Sequence, residues 1–186
     1  MKRITALFVM CLFLCGCKSS TKEMDNALRM RQKLLNSQSC KFDAQVTVDY
    51  SDKVYTFLVQ CHGDREGNVS FKVLEPESIA EISGVISENG GDLTFDDTVL
   101  AFETLVNDTI TPVVAPWLML RSLRGGYIRQ CAKTESGICI DIDDTYRDTN
   151  LRSEILLDAQ GCPVQAEMYY DGNRILTVYV TNFVLL

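Results

Sequence analysis

Few side chains in this 186-residue chain form a pattern typical of acid–base, nucleophilic or metal chemistry. His62 is the one histidine, so a zinc site with two histidine ligands is excluded. The GxSxG elbow, the P-loop, the GxGxxG loop and the EF-hand loop are all absent from the sequence. Asp141, Asp143 and Asp144 could place two carboxylates on one strand face, but we favour a solvent-facing strand with alternating polar residues. We therefore predict no catalytic residue, no metal site and no cofactor.

Cys17 offers a different chemistry, the acylation of a thiol. It follows a basic pair and an apolar stretch, Ile4–Leu14, which is typical of a signal peptide and short for a membrane span. The segment Leu14-Cys15-Gly16-Cys17 resembles the bacterial lipobox. This resemblance implies a lipoprotein signal peptide over residues 1–16, lipidation at Cys17 and a short tether over residues 17–20. The protein would then be anchored by lipid on the extracytoplasmic face of a bacterial membrane, whereas an ordinary secretory signal or a short anchor helix is the alternative.

Two cysteines flank a glycine-containing turn in the second half of the chain. Cys131 and Cys139 are symmetric about Glu135. A three-residue hairpin loop over Thr134–Ser136 would place them directly opposite each other, within reach of a disulfide. We therefore predict that these two cysteines can form a disulfide.

A second pair, Cys40 and Cys61, lies in the first half of the chain. With a turn at residues 51–52, the two thiols share a sheet face but are one diagonal step apart, near the outer limit for a disulfide. The body has five cysteines, an odd number, so at least one thiol stays free, and we expect it to be Cys162.

The charge balance restricts the class of partner. Lys and Arg total 18 against 25 Asp and Glu, a formal net charge of −7. Nucleic-acid affinity depends largely on cationic contacts with phosphates, so we predict no nucleic-acid partner.

Two kinds of periodicity predict the elements that position these residues. A capping box at Ser20–Glu23 opens a helix to about Asn36, with apolar residues mostly on one side. These apolar residues are Met24, Ala27, Leu28, Leu34 and Leu35. Beyond this helix the period changes to two, which predicts a largely antiparallel meander of about ten strands. The expected strands are Phe42–Tyr50, Tyr55–Cys61, Val69–Val73, Ile79–Ser87, Leu93–Phe95, Val99–Phe102, Ile128–Ala132, Ile138–Ile142, Leu151–Leu157, Val164–Tyr170 and Leu176–Phe183.

A second helix interrupts the meander. Pro116 suits its first turn and Gly125-Gly126 its end. It would present four apolar side chains to the sheet, namely Trp117, Leu118, Leu120 and Leu123. Arg121 and Arg124 lie in its last turn, where they could meet phosphate headgroups or an acidic partner; we favour a solvated helix end.

The segment Phe71-Lys-Val-Leu-Glu-Pro76, a strand containing Gly84, and Gly91-Asp-Leu-Thr-Phe95 follow one another along the chain. Together they are similar to the strand, proline, strand and turn of the lipoprotein-localisation-factor superfamily. The match covers about residues 20–186 in architecture. It implies an α+β fold in a single domain, residues 21–186, with a curved antiparallel half-barrel and helices on its concave face.

The resemblance also implies two functions. The clostridial spore-germination lipoprotein of this superfamily matches the plan best, which implies a lipid-anchored, non-enzymatic accessory protein that supports an N-acetylmuramoyl-L-alanine amidase by protein contact. The alternative is a carrier that binds lipid or lipoprotein acyl chains in the concave face. The helix that contains Trp117 would be a permanent plug in the first case and an opening lid in the second, and we favour the plug.

Overall fold

The computed structural model describes residues 20–49, 54–95, 98–102, 105–106, 109–144 and 150–186. The predicted signal peptide, Cys17 and the predicted turn at residues 51–52 lie outside these ranges. Within them the chain forms an open, curved, eleven-stranded antiparallel sheet and two α-helices. The predicted α+β half-barrel is therefore confirmed.

The helices are α1 (Ser20–Asn36) and α2 (Ala115–Gly125). The strands are β1 (Ser39–Asp49), β2 (Val54–Asp64), β3 (Val69–Glu75), β4 (Ser83–Ser87), β5 (Gly90–Phe95), β6 (Thr98–Phe102), β7 (Leu105–Val106), β8 (Thr109–Ile110), β9 (Tyr127–Lys133), β10 (Ile138–Asp143), β11 (Leu151–Leu157), β12 (Pro163–Tyr170) and β13 (Asn173–Leu185). The large sheet has the order β6-β5-β4-β3-β2-β1-β13-β12-β11-β10-β9, and β7 pairs with β8 separately. Short 3-10 helices span Glu77–Ile79 and Pro112–Val114.

Alternation along the strands decides which face of the sheet meets the helices. In β1, the buried residues are Cys40, Phe42, Ala44, Val46 and Val48. The residues between them are exposed or half-buried, so one face packs on the core and the other meets water. Strand β11 repeats the pattern with every second residue buried. The concave face thereby receives an apolar layer that α1 and α2 cover.

Helix α1 has the predicted bounds, but its buried face differs from the prediction. Ala27, Met30 and Leu34 are buried, whereas Leu28 and Leu35 are 47% and 51% exposed. The buried residues follow the spacing i, i+3, i+7 and form one narrow stripe. Leu28 and Leu35 each lie one residue, about 100° of helix rotation, beyond that stripe. Their predicted place on the buried side is therefore wrong.

The predicted strand Ile79–Ser87 is shorter than expected, because the chain turns before it. Glu81 has a left-handed φ of 74°, and its N–H donates to the carbonyl of Val73. The 3-10 helix and this turn occupy residues 77–82, and β4 starts at Ser83.

The pairing of β9 with β10 corrects the predicted disulfide. Cys131 lies opposite Ile140, not opposite Cys139. The loop has four residues, 134–137, closed by the Thr134 N–H donating to the Gly137 carbonyl over 2.8 Å. Gly137 has a φ of 149°, which L side chains rarely adopt. The one-residue difference in loop length puts the two cysteines on opposite faces of the hairpin.

The other predicted pair has the expected register. Cys61 lies opposite Phe42, so Cys40 and Cys61 share one face and are one diagonal step apart. Both are buried free thiols, and Cys162 is also free, as are the two cysteines of the β9–β10 hairpin. Burial raises the pKa of the Cys40 and Cys61 thiols.

Candidate functional site

The local sequence explains why α2 begins and ends where it does. The 3-10 helix Pro112–Val114 leads into it, and Pro116 occupies its first turn, where a missing N–H has no cost. Gly126 follows its last residue and donates to the Ser122 carbonyl over 2.9 Å. A Cβ at Gly126 would lie 2.3 Å from Ile142, so glycine is needed where the helix end approaches the sheet.

Helix α2 packs into the concave face as part of the core. Four residues that the sequence predicts to face the sheet are buried: Trp117, Leu118, Leu120 and Leu123. Trp117 is 1% exposed, and its indole Nε1 donates to the Gly67 carbonyl over 3.0 Å. The hydrogen bond joins the helix to the loop between β2 and β3, so the indole fills space on one side and fixes a loop on the other.

Arg121 stands at the rim of α2 between two carboxylates. It forms ion pairs with buried Asp144 and, over 3.2 Å, with exposed Glu88 in the β4–β5 turn. Ser122 donates to the second Asp144 oxygen over 2.8 Å. Burial opposes the charge of Arg121, but hydrogen bonds to the two carboxylates and their charges raise its pKa overall. The guanidinium also lies 5.9 Å from the centroid of the Trp117 ring.

Arg124 joins α2 to the loop between β2 and β3. Its Nη atoms donate to the carbonyls of Asp64 and Arg65. Asp64 in turn accepts the Asn68 backbone N–H and side-chain amide, each over 2.8 Å. Desolvation acts in the opposite direction, but these hydrogen bonds lower the pKa of Asp64. The solvated helix end predicted for Arg121 and Arg124 is therefore wrong, since both side chains are half-buried and bonded.

Arg31 of α1 is a positioning residue that the sequence reasoning missed. Its guanidinium donates to the carbonyls of Leu123 over 2.7 Å, Gly126 over 2.7 Å and Ser122 over 3.3 Å. These are carbonyls at the C-terminus of α2, where a cation is favoured. The sequence does contain one indication of this role, because Arg31 lies on the same helical face as Leu34 and the other buried residues of α1.

A cleft of about 520 Å³ lies between α2, the β2–β3 loop and the β4–β5 turn. Its charged and amide side chains include Arg65, Glu66, Asn68, Glu88, Asn89 and Arg121. Leu35 of α1 borders it. Cations and anions are both present, so the cleft suits polar and charged groups of either sign.

Asp141, Asp143 and Asp144 do not form one site. The solvent-facing strand favoured for them is wrong for Asp141 and Asp144, which are both buried. Asp141 pairs with Arg152 over 2.7 Å and Asp143 with Arg129 over 3.6 Å, while Asp144 belongs to the α2 rim. Among the residues that the structure describes, no group of three or more His, Cys, Asp and Glu side chains could hold a metal ion. His62 is exposed on β2.

In the described parts of the chain, neither helix has the length and apolar character needed to cross a bilayer.

The chain is similar in fold to proteins of known structure. No protein-family model and no curated protein matches the chain. Among solved structures, it is similar to an uncharacterised conserved protein from Thermus thermophilus, with 11% identity, 88% of this chain and 87% of that chain covered, and a TM-score of 0.50. It is also similar to a LolA superfamily protein from Nitrosomonas europaea, with 9% identity, coverage of 86% and 93%, and a TM-score of 0.48. A third is the lipoprotein LppX from Mycobacterium tuberculosis, with 6% identity, coverage of 87% and 93%, and a TM-score of 0.40. At such identities the likeness concerns the fold alone.

Proposed function

We propose that this chain is a lipid-anchored, non-enzymatic accessory protein of the bacterial cell envelope that binds a partner protein through the cleft beside α2. The observation that carries the proposal is that α2 fills the concave face with buried apolar side chains and turns a charged rim outward. Protein surfaces present charged groups of both signs, and a cleft with both signs complements them and helps to exclude wrong partners.

Lipidation of Cys17 supplies the proposed anchor. Cys17 is three residues from Ser20, the first residue of α1, so α1 would begin within about 11 Å of the lipidated residue. The acidic chain would stand off an anionic bilayer, so the acyl chains would hold it at the extracytoplasmic face.

The anchor is tested by Cys17→Ser, with Cys15→Ser as the matched control. Metabolic labelling with an alkyne analogue of palmitate should mark the wild type and the control, and the Cys17→Ser variant should lose both the label and its membrane retention. Normal labelling of Cys17→Ser would show that the lipobox interpretation is wrong.

The proposed partner is a cell-wall amidase of the N-acetylmuramoyl-L-alanine class, a choice supported by the resemblance of the sequence to the spore-germination lipoprotein. Glu66 is exposed in the cleft, so a photocrosslinking amino acid there should capture the amidase in the intact envelope. Tyr179 lies on the solvent face of β13 and provides the control position. Equal capture of the amidase from both positions, or its absence at position 66, would count against binding in the cleft.

The second candidate is a carrier of acyl chains, and one observation favours it. The core contains the buried methionines Met30 of α1, Met119 of α2 and Met168 of β12, whose flexible side chains adapt to changes in packing. Polar contacts hold the outer side and the C-terminal end of α2 in place, and water could replace these contacts if α2 moved. A crosslinker at Met119 should then capture lipid, whereas the accessory role predicts adducts within the chain itself.

A further inference from the structure

The two edge strands of the large sheet differ in how well they are protected from pairing with another strand. At one edge, β9 contains Arg129 and Lys133, and α1 packs against it. Charged side chains and a covering helix are the usual means of preventing another strand from pairing with an edge. At the other edge, β6 reads Thr-Val-Leu-Ala-Phe, with no charge and no proline.

Strand β6 lies at the other edge of the sheet. Among the residues that the structure describes, it pairs only with β5 in the sheet. Val99 and Leu100 are 63% and 57% exposed, and as adjacent strand residues they lie on opposite faces. On an edge strand, a row of backbone N–H and C=O groups points away from the sheet, and an extended segment satisfies it best.

A groove beside β6 indicates which side chain the added strand would carry. Val85, Asp92 and Ala101 form one cross-strand row over β4, β5 and β6. They line a groove of about 510 Å³ on the face away from the helices, since neighbouring Ile86 is buried in the core. Asp92 is exposed and forms no ion pair with any residue in the described ranges.

A residue added opposite Ala101 would be two strand spacings, about 9.6 Å, from Asp92. Lysine and arginine have apolar stems long enough to cross the small Ala101 side chain and bring a cation to the Asp92 carboxylate. The β6 strand of a second copy offers no such residue, because it contains no basic side chain. The other edge strand, β9, contains Arg129 and Lys133 but is packed against α1.

We propose that β6 accepts an extended strand of a partner protein that carries lysine or arginine opposite Ala101. The groove adjoins the cleft beside α2 and shares Ser87 and Asn89 with it, but Asp92 and Ala101 line the groove alone. A test at Asp92 and β6 therefore does not depend on what the cleft binds.

The test uses the full-length protein in mild detergent and a fluorescent ten-residue peptide of alternating threonine and valine with one central lysine. Fluorescence anisotropy should show saturable binding. Methylation of alternate peptide amides should weaken it about tenfold or more, because the added strand loses its ladder donors. The substitution Asp92→Asn should weaken it about two- to fivefold, and should leave binding of the matched norleucine peptide unchanged.

The variant Val99→Lys should also weaken binding, since it places a cation on the Ala101 face beside the peptide lysine. Val184→Lys, at a half-exposed position on β13, is the matched control and should bind normally. The proposal is overturned if no peptide binds, if amide methylation has no effect, or if Asp92→Asn weakens both peptides equally. A dimer that forms through β6 and dissociates in the Val99→Lys variant would also overturn it, because the occupant would then be a second copy.

Discussion

Replacing Trp117 with alanine tests whether α2 is a permanent part of the core. The indole is fully buried, and its Nε1 donates to the Gly67 carbonyl over 3.0 Å. Truncation of a buried tryptophan leaves a cavity and costs about 3–5 kcal/mol of unfolding free energy. For a domain of this size, that loss corresponds to a fall in melting temperature of about 6–20 °C.

Two control variants separate packing from the hydrogen bond. Trp117→Phe keeps a buried ring but removes the donor to Gly67, so it should cost about 1–2 kcal/mol, less than alanine. Tyr127→Ala removes a side chain that is 73% exposed and should change the unfolding free energy by about 0.5 kcal/mol or less. Circular dichroism follows all three transitions, because loss of the indole also removes the tryptophan fluorescence signal.

The wild-type fluorescence provides a second readout, since Trp117 is the only tryptophan. A core indole predicts blue-shifted emission that added phospholipid or lipopeptide leaves unchanged. A lipid-dependent shift in emission, together with a loss of about 1 kcal/mol or less in the alanine variant, would refute the plug and favour a lid.

Three further predictions concern the contacts around α2 and the buried thiols. Arg31→Met removes the donors to the α2 carbonyls and should cost about 1.5–3 kcal/mol in urea unfolding; exposed Arg29→Met is the control, and an equal loss in both would refute a specific role. Asp144→Ala removes the buried carboxylate that pairs with Arg121 and should cost about 3 kcal/mol, and a change within the error of the unfolding curves would mean that the pair contributes nothing. Burial raises the pKa of Cys131 from its ordinary value of 9.0 to about 11. Because the unfolded thiol ionises first as pH rises, stability should fall between pH 9.0 and about 11; Cys131→Ala should show a smaller fall, and an identical pH profile would contradict this contribution.

Features encoded locally were predictable from the sequence. Helix α1 has the predicted bounds because its capping box and apolar spacing lie within the segment itself. Helix α2 ends at the predicted pair Gly125-Gly126, which is part of the local sequence. Alternation located most strands, since one face of each strand had to be apolar.

Features that depend on long-range packing were not predictable. The partners of Arg31 lie 91 to 95 residues away along the chain, so no local pattern identifies them. The carboxylates around Arg121 come from two separate turns and meet only in the folded protein. The predicted pairing of Cys131 with Cys139 was wrong because the loop has one more residue than predicted. One extra residue shifts the register by one and places the two side chains on opposite faces.

Native mass spectrometry of the mature protein, released from membranes in mild detergent, tests whether the chain is lipid-anchored and binds the amidase. We expect a chain that begins at Cys17, carries covalent diacylglyceryl on that residue and retains no further lipid, while the amidase is retained as a complex that Glu66→Lys weakens. A chain without covalent lipid, or one that retains additional noncovalent lipid and no amidase, would contradict the proposed lipid-anchored accessory role.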